Sequence, residues 1–283
     1  MKSVISLILL FINLIIAQDY TQADINVCDS KFNLAVEKQL ADKPINEIIV
    51  QIGKSFIGLE YEAGTLDKND DEKLVIHLTG LDCYTFLESS LVFARLIKEG
   101  KSTFKDYETE LTKIRYRDGV IKDYPSRLHY FSDWIYEMDK RGIVKDVTKS
   151  IGGVSYINKV NFMSSHPQYY HQLKSHPEFI KVIKKYEKAI SSRKYFYIPQ
   201  EDVEKHESEI KSGDIMGITT DIPGLDISHT GIAIRLDDNR IHFMHAPNVG
   251  KKIQITEKPL AEYIKGNKKQ TGIIVARPLE PIN

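Results

Sequence analysis

The sequence predicts an α+β protein in which a block of helices precedes an antiparallel sheet. Apolar residues recur at three- and four-residue spacing in much of the chain up to residue 190, whereas short runs rich in Ile and Val follow Pro199. Helices followed by adjacent strands are typical of the α+β class. With 283 residues, 42% of them hydrophobic, the chain can bury the core of one large domain or two small ones.

The first 17 residues are expected to be a secretory signal peptide. Lys2 supplies a positive charge, an apolar run extends from Val4 to Ile16, and the small residue Ala17 precedes a plausible cut. This run is shorter than the roughly 20 residues of a membrane span, which disfavours the alternative of an uncleaved anchor. We therefore expect a signal peptide over 1–17 and a single domain over 18–283. The mature chain is expected to be periplasmic or secreted, monomeric, and without stable membrane insertion.

Helices are predicted in the first two thirds of the chain. Apolar spacing predicts helix over 30–59 and again over 84–98, where a wide stripe indicates a helix largely buried in the core. Gly100 is expected to end that helix. Residues 103–190 are predicted to be mainly helical, with aromatic-rich loops at DYPSRLHYFSDW and NFMSSHPQYY. No repeat, low-complexity tract or clear linker divides the chain, which favours one domain.

Strands are predicted in the remainder of the chain, separated by turn residues. Residues 237–239, Asp-Asp-Asn, are expected to form a hairpin turn between two of them. The predicted strand segments are IKSGDIMGITT, SHTGIAIRL, RIHFMHAP, KKIQIT and TGIIVARP.

The charge balance bears on the class of partner. The chain has 39 basic and 39 acidic residues, so its formal net charge is zero. A nucleic-acid partner usually requires a basic face that neutralises phosphates, so we expect no nucleic acid, although a local basic patch is compatible with these counts.

One of the two cysteines stands where a helix is predicted to begin. In LTGLDCYTFLESS, Cys83 follows Asp82 and precedes the apolar stripe. The N–H groups and dipole at a helix N-terminus favour a thiolate and would lower the cysteine pKa. The alternatives are an inert small core residue, or a disulfide with Cys28 in an oxidising compartment.

A nucleophilic cysteine needs a base, and the predicted strands carry three histidines. His229 begins one strand, and His242 and His245 lie three residues apart on the next. On an extended strand those two point to opposite faces, so only one of them can face His229. The alternatives are structural histidines, or a zinc site that includes Asp226. Compact ligand spacing and an HExxH pattern are missing, so neither a metal nor another cofactor is expected.

Several short motifs in order resemble the NlpC/P60 papain-like cysteine hydrolases of bacterial cell walls. These motifs are LDCYTFLE, KSGDIMGI, LDISHTGIAI and FMHAP. EYEAGTLD, YPSRLHYFSDW and the closing TGIIVARP narrow the resemblance to the AmiA-like branch, DUF1460, over residues 30–279. The resemblance implies a papain-like core, with a nucleophile at a helix N-terminus packed on an antiparallel sheet, plus helical insertions. The implied activity is that of an N-acetylmuramoyl-L-alanine amidase.

The resemblance also implies roles for individual residues. Cys83 matches the family nucleophile, His229 the general base and His245 the third, orienting residue. Tyr61 in EYEAGTL matches a tyrosine whose hydroxyl helps to hold the oxyanion. Two departures are visible: Glu60 stands where many relatives carry proline, and Ala-Pro follows His245 where relatives more often have Ala-Ser.

A substrate groove is predicted around YPSRLHYFSDW and Met163-Ser164-Ser165. Arg127 could pair with a peptide carboxylate and Tyr130 could stack on a sugar, although the aromatic residues of this segment could equally pack in the core. The predicted substrate-binding residues are Asp82, Ser126, Arg127, Tyr130, Met163 and Ser164.

Three functions are compatible with this site. The favoured one is an exported amidase acting on peptidoglycan or muropeptide fragments. A γ-D-glutamyl–diamino-acid endopeptidase would use the same nucleophile and base. A non-catalytic cell-wall binding protein is disfavoured because a binding module has no need of Cys83, His229 and His245 together.

Overall fold

The computed structural model describes residues 19–282, so the predicted signal peptide at 1–17 lies outside the described residues. Within the described range, no helix is both long enough and apolar enough to cross a membrane.

Ten α-helices, six short 3₁₀ helices and eight strands lie within residues 19–282, the α-helices mostly before the strands. The helices are α1 (Gln22–Glu37), α2 (Ile45–Lys54), α3 (Cys83–Lys98), α4 (Phe104–Arg115), α5 (Phe131–Lys140), α6 (Phe162–Ser165), α7 (His171–Ser175), α8 (Phe179–Ser191), α9 (Val203–His206) and α10 (Leu260–Lys265). The strands are β1 (Val144–Asp146), β2 (Val154–Tyr156), β3 (Tyr195–Pro199), β4 (Ile215–Thr220), β5 (Ile227–Arg235), β6 (Ile241–His245), β7 (Gln254–Ile255) and β8 (Gln270–Pro278).

The strands form one eight-stranded sheet in the order β2-β3-β8-β4-β5-β6-β7, and β1 pairs with β8 beside that path. Every pair is antiparallel. The turn between β5 and β6 places Asn239 at a φ of 60°, a left-handed conformation that asparagine tolerates. The predicted hairpin turn and the predicted α+β class are thus confirmed.

The sheet separates two apolar cores. Ile232, Ile234 and Met244 face the core formed with α1 to α5. Alternate residues, among them Phe243, face a second core that includes Ile264 of α10. This alternation follows from the two-residue period of a strand.

Helix α3 lies in the middle of the first core. Every residue from Thr85 to Ile97 is buried, and the helix packs against α2, α4 and β5. Gly100 follows it with a φ of 68°, which suits the left-handed position after a helix. Burial along the whole helix fixes where its N-terminus lies, and Cys83 is its first residue.

The elements differ from the prediction in three places. Helix α1 begins at Gln22 because Thr21 and Asp24 form a reciprocal capping box. Residues 103–190 are less helical than predicted: β1 and β2 lie within them, and Gly142 and Gly152 take positive φ angles that end regular structure. Strand β3 lies just before the point where strands were expected to begin.

Candidate active site

Cys83 is held by the cap of helix α3. One carboxylate oxygen of Asp82, Oδ1, accepts a hydrogen bond from the Thr85 backbone N–H at 2.8 Å, and Thr85 Oγ1 accepts one from the Asp82 N–H at 3.0 Å. This reciprocal pair satisfies N–H groups that a helix start leaves free. It also fixes the backbone of Cys83, which lies between Asp82 and the first turn.

Thr230 joins the cap of α3 to the sheet. Its hydroxyl donates a hydrogen bond to the carbonyl oxygen of Cys83 at 3.0 Å. Sequence reasoning missed this residue, although it stands directly after His229 in the Ser-His-x-Gly pattern. A β-bulge at Ser228, between the pairs of Ile227 and His229 with β4, precedes it. Bulges next to active sites commonly re-aim neighbouring side chains.

His229 and His245 form a hydrogen-bonded pair across β5 and β6. Nε2 of His229 lies 2.6 Å from Nδ1 of His245. His245 is fully buried, whereas His229 is partly exposed. The ring of Phe243 packs against both histidines, with centroids 5.6 Å and 4.9 Å away. Nδ1 of His229 has no hydrogen-bond partner among residues 19–282, so it can take a proton when Nε2 carries the proton shared with His245.

Gly231 makes room for this pair. A Cβ atom at this position would lie 2.6 Å from the Met244 carbonyl oxygen and 2.7 Å from the Phe243 ring. A side chain would therefore displace the ring that packs on both histidines, which explains the glycine two residues after His229.

His242 lies on the opposite face of β6. Its Nδ1 and Nε2 are 2.8 Å from the Thr256 carbonyl and 2.9 Å from the Asp238 carboxylate. Asp226 is buried and accepts hydrogen bonds from the Ser132 and Ile227 N–H groups. In the part of the chain that the structure describes, no group of three or more His, Cys, Asp or Glu side chains is placed to hold a metal ion.

Burial dominates the ionisation of these groups. Burial, followed by the Asp82 carboxylate, raises the pKa of the Cys83 thiol to about 11, although hydrogen bonds from Thr230 oppose this shift. The expected lowering of this pKa by the helix N-terminus is therefore wrong, because the loss of solvent outweighs it. Burial lowers the pKa of His229 to about 4. Burial and the adjacent His229 lower the pKa of His245 to about 3. At neutral pH the thiol and both imidazoles are thus uncharged.

Tyr61 is held beside the start of α3 by backbone hydrogen bonds. The flanking residues bond to Leu81, with Leu81 N–H donating to the Glu60 carbonyl and Glu62 N–H to the Leu81 carbonyl. Glu60 also forms an antiparallel bridge with Lys252, so its backbone supports that of Tyr61. Burial, followed by Cys83 and Asp82, raises the pKa of Tyr61 to about 12. The hydroxyl therefore stays protonated and can donate a hydrogen bond.

A cavity of about 220 Å³ opens beside Asp82 and Tyr84. Of the predicted substrate-binding residues, Asp82, Arg127, Tyr130 and Met163 line it, whereas Ser126 and Ser164 are not among its lining residues. We call the segments 64–73, 124–130 and 162–176, which meet around this cavity, the groove wall.

The polar groups predicted to bind substrate form ion pairs and hydrogen bonds with other groups of the protein. Arg127 is 6% exposed; its Nη2 lies 2.6 Å from Asp67 Oδ1, and its Nε lies 3.3 Å from Glu72 Oε1. The buried Tyr130 hydroxyl donates to Glu187 at 2.8 Å and accepts the Met163 N–H at 2.9 Å. The Arg127 guanidinium is therefore already paired with two carboxylates, and Tyr130 lines the cavity although it is only 5% exposed.

The two serines also have local partners. The buried Ser126 hydroxyl donates to the Asp123 carbonyl at 2.6 Å and accepts the Lys122 N–H at 3.1 Å, within the 3₁₀ turn Tyr124–Ser126. The Ser164 N–H donates to Glu187 at 2.9 Å. Both contacts shape the groove wall, and the Ser126 hydroxyl is not free to meet a ligand.

The chain is similar to known proteins along most of its length. A family model described as AmiA-like, N-acetylmuramoyl-L-alanine amidase-like, matches residues 51–273. An N-acetylmuramoyl-L-alanine amidase from Bacteroides uniformis shares 36% identity over 83% of this chain and 99% of its own, with a TM-score of 0.78. A candidate xylanase from Bacteroides fragilis shares 39% identity over 80% of this chain and 98% of its own, with a TM-score of 0.75.

A more distant structure supports the fold alone. A Legionella pneumophila protein of the DUF1460 family is 22% identical over 93% of this chain and 99% of its own, with a TM-score of 0.68. None of the curated proteins compared with the chain matches it. On the extent of the family match and the identity to the Bacteroides uniformis amidase, the chain belongs to the AmiA-like, N-acetylmuramoyl-L-alanine amidase-like family.

Proposed function

We propose that this protein is an exported, cysteine-dependent amidase that hydrolyses the bond between N-acetylmuramic acid and L-alanine in peptidoglycan fragments. The observation that carries the proposal is the His229–His245 pair beside Thr230, which contacts Cys83 at the N-terminus of α3. A nucleophile, a base and an orienting group in this order are the components of acyl transfer. The same arrangement supports placement in the NlpC/P60 superfamily with a papain-like core.

The reaction begins from uncharged groups. Because the Cys83 thiol is protonated and His229 is neutral at pH 7, the base must remove the proton as the sulfur attacks. Nδ1 of His229 takes the thiol proton, and Sγ of Cys83 forms a bond to the amide carbonyl carbon. Nε2 of His229 keeps its own proton, which forms a hydrogen bond to Nδ1 of His245. This hydrogen bond orients the His229 ring.

The tetrahedral intermediate carries a negative oxygen. The Tyr61 hydroxyl is a protonated donor near Cys83, and the Cys83 backbone N–H at the start of α3 is a second donor of the kind that holds an oxyanion. Such donors act in a site where water is largely excluded, which strengthens each hydrogen bond.

The tetrahedral intermediate then collapses to a thioester. The carbon–nitrogen bond breaks, and protonated His229 returns its proton to the departing amine of L-alanine. A water molecule gives one proton to His229 as its oxygen attacks the thioester carbon. The carbon–sulfur bond then breaks, and the lactyl group of the sugar leaves as a carboxylic acid that loses its proton to solvent. The Cys83 thiolate recovers its proton from His229, and the enzyme returns to its uncharged state.

The cavity beside Asp82 is the proposed substrate subsite next to the nucleophile. Its walls include apolar and aromatic side chains, such as Met163, Leu225 and Tyr170, and a smaller number of polar side chains. Mixed cavities of this kind suit small ligands that have both apolar and polar faces. We propose that Arg127 shapes this cavity through Asp67 and Glu72 instead of binding a substrate carboxylate.

Glycoside hydrolysis, as the name of the Bacteroides fragilis relative indicates for that protein, needs different groups. Glycosidases use two carboxyl groups that flank the scissile bond, one of them protonated. Of the acidic side chains lining this cavity, Asp67 is paired with Arg127 and Asp82 caps α3. These commitments favour amide chemistry over glycoside chemistry.

Digestion of a defined muropeptide tests the proposal. The mature chain, residues 18–283, is incubated with N-acetylmuramoyl-L-alanyl-γ-D-glutamyl-diaminopimelate, and the products are identified by mass spectrometry. Free N-acetylmuramic acid and an intact L-alanyl peptide are the expected products. Released muramoyl-L-alanyl-D-glutamate would instead show the γ-D-glutamyl endopeptidase. Binding without cleavage would show a non-catalytic cell-wall protein, and reducing sugar released from xylan would show a xylanase.

Export is part of the proposal and rests on the N-terminal sequence. Residues 1–17 have the charge and apolar run of a signal peptide. We propose that the mature protein begins at residue 18, acts as a monomer and resides in the periplasm or medium. Mass determination of the secreted chain tests the cleavage site, and retention of residues 1–17 would contradict it.

A further inference from the structure

His245 has one nitrogen whose partner is missing. The side chain is fully buried, Nδ1 meets His229, and Nε2 has no hydrogen-bond partner among residues 19–282. Buried polar atoms nearly always have a partner, so an exception requires an explanation.

The protonation of the pair decides what this nitrogen carries. Two neutral imidazoles hold two protons, and the 2.6 Å separation of Nε2 and Nδ1 requires one proton between them. If His229 donates this proton, its Nδ1 is free to accept the thiol proton, and the second proton of the pair sits on Nε2 of His245. If His245 donates it, Nδ1 of His229 is already protonated and cannot act as a base. Only the first arrangement supports catalysis, and it places an N–H at the unpartnered position.

Aromatic rings surround His245. Phe243 lies 4.9 Å away, centroid to centroid, at an interplanar angle of 32°. Tyr263, on helix α10, lies 5.3 Å away at 75°. Within the described residues, no carboxylate hydrogen-bonds to either histidine, so the pair lacks the charged third group of a Ser-His-Asp triad.

We propose that Tyr263 is a positioning residue: its ring face receives the Nε2–H of His245, and this contact favours the arrangement in which His229 can act as the base. A nearly perpendicular ring at this distance fits an N–H directed at an aromatic face, a weak but real interaction. The inference rests on the proposed role of His229 and assigns the unpartnered nitrogen a function within it.

A purely structural role for Tyr263 makes a different prediction. The Tyr263 ring is partly exposed, and its centroid lies 6.2 Å from that of Phe243. It therefore also packs against the second core. Its loss would then lower thermal stability and leave the protonation of the histidine pair unchanged. The position of the proton therefore separates the two roles.

The test compares Tyr263→Phe, which keeps the ring, with Tyr263→Leu, which removes it, in the mature chain. Long-range ¹H–¹⁵N correlation spectra of ¹⁵N-histidine-labelled protein at pH 7 report which nitrogen carries each proton, with His245 assigned from His245→Gln. We expect Nε2–H on His245 in the wild type and in Tyr263→Phe, and Nδ1–H in Tyr263→Leu. With the muropeptide, kcat of Tyr263→Leu should fall about tenfold or more at unchanged KM, since the wrong tautomer disables the base.

Two results would overturn the inference. One is Nε2–H on His245 retained in Tyr263→Leu. The other is Nδ1–H on His245 already in the wild type, which decides the matter even if Tyr263→Leu does not fold. Because the spectra need no substrate, absence of amidase activity in the wild type would count against the proposed function and leave this measurement valid.

Discussion

The groups proposed to react and the groups that surround the substrate are held in different ways. At the helix–sheet junction, Cys83, Thr230 and the histidine pair belong to α3, β5 and β6, whose backbones are hydrogen-bonded and whose apolar residues are buried. The groove wall consists of loops and short helices joined by side-chain contacts, such as the ion pair of Arg127 with Asp67 and the hydrogen bond between His171 and Asp70. Reacting atoms require sub-ångström placement, whereas a wall that admits substrate can tolerate movement.

Removal of the nucleophile should give the largest effect on activity and almost none on the fold. We expect Cys83→Ala to lower kcat on the muropeptide by about 10⁴-fold or more, as loss of a nucleophile does in other hydrolases. Circular dichroism should show an unchanged melting temperature.

The matched control is the other cysteine. Cys28 is fully buried in the first core, and burial raises the pKa of its thiol to about 12. Cys28→Ala should keep kcat and lose some stability. Equal losses of activity in both variants would remove the distinction between a reacting and a packing cysteine.

Tyr61→Phe tests whether the Tyr61 hydroxyl donates a hydrogen bond to the oxyanion. Loss of one oxyanion donor typically lowers kcat by about 10²–10³-fold, and the ring remains to fill its space. We expect this loss at unchanged KM, measured in steady-state assays. Wild-type kcat in Tyr61→Phe would show that the Cys83 N–H suffices.

Arg127→Ala should damage the groove wall more than the chemistry. Glu72 would remain buried without its cation, and removal of one partner of a buried pair costs about 3–5 kcal/mol of unfolding free energy. Urea denaturation measures this loss. A normal stability combined with a large rise in KM would instead restore Arg127 to the role of a substrate ligand.

The pH dependence of kcat/KM probes the junction in its resting state. His229 is neutral above its pKa of about 4, so the base is present above pH 4 and lost as the pH falls through it. Because histidine has a pKa of about 6.5 when unfolded, the free energy of unfolding should also fall as the pH drops from about 6.5 towards 4. Short activity assays, with circular dichroism to confirm that the protein is folded, separate protonation of His229 from unfolding. An acid limb near pH 6.5 would contradict an uncharged resting pair.

The exposed contact between Asp70 and His171 in the groove wall should matter least. Asp70 and His171 are joined at 2.7 Å, but their side chains are 81% and 43% exposed. Asp70→Asn should therefore change the melting temperature by less than about 2 °C, because solvent screens such pairs. A larger shift, absent from Asp71→Asn, would show that the groove wall is closed mainly by this contact.

The sequence predicted the junction better than the groove wall for a physical reason. The start of α3 is determined by neighbouring residues. These are an aspartate cap, a threonine three residues later and the apolar stripe that follows. Strand alternation showed that only one of His242 and His245 could meet His229, and the structure selects His245. Whether His242 or His245 meets His229 depends on the register between β5 and β6, and the sequence of one strand alone does not determine that register.

The groove wall depends on partners far apart in the chain. Arg127 contacts Asp67, which lies 60 residues earlier, and nothing near either residue indicates the pairing. Sequence reasoning therefore assigned a free guanidinium to the substrate when it was already neutralised. Thr230 was missed because its role comes from a contact with a carbonyl oxygen, 147 residues earlier, that any residue type supplies.

The unbroken burial of α3 has a consequence for how the protein loses activity. Amides in a helix buried from Thr85 to Ile97 exchange with solvent hydrogen only when the whole molecule opens. Segments without a continuously buried helix, such as 64–73 and 162–176, exchange through smaller openings. As denaturant is added, the capacity to hold substrate should therefore fade first, while Cys83 stays in place until the molecule unfolds as a unit.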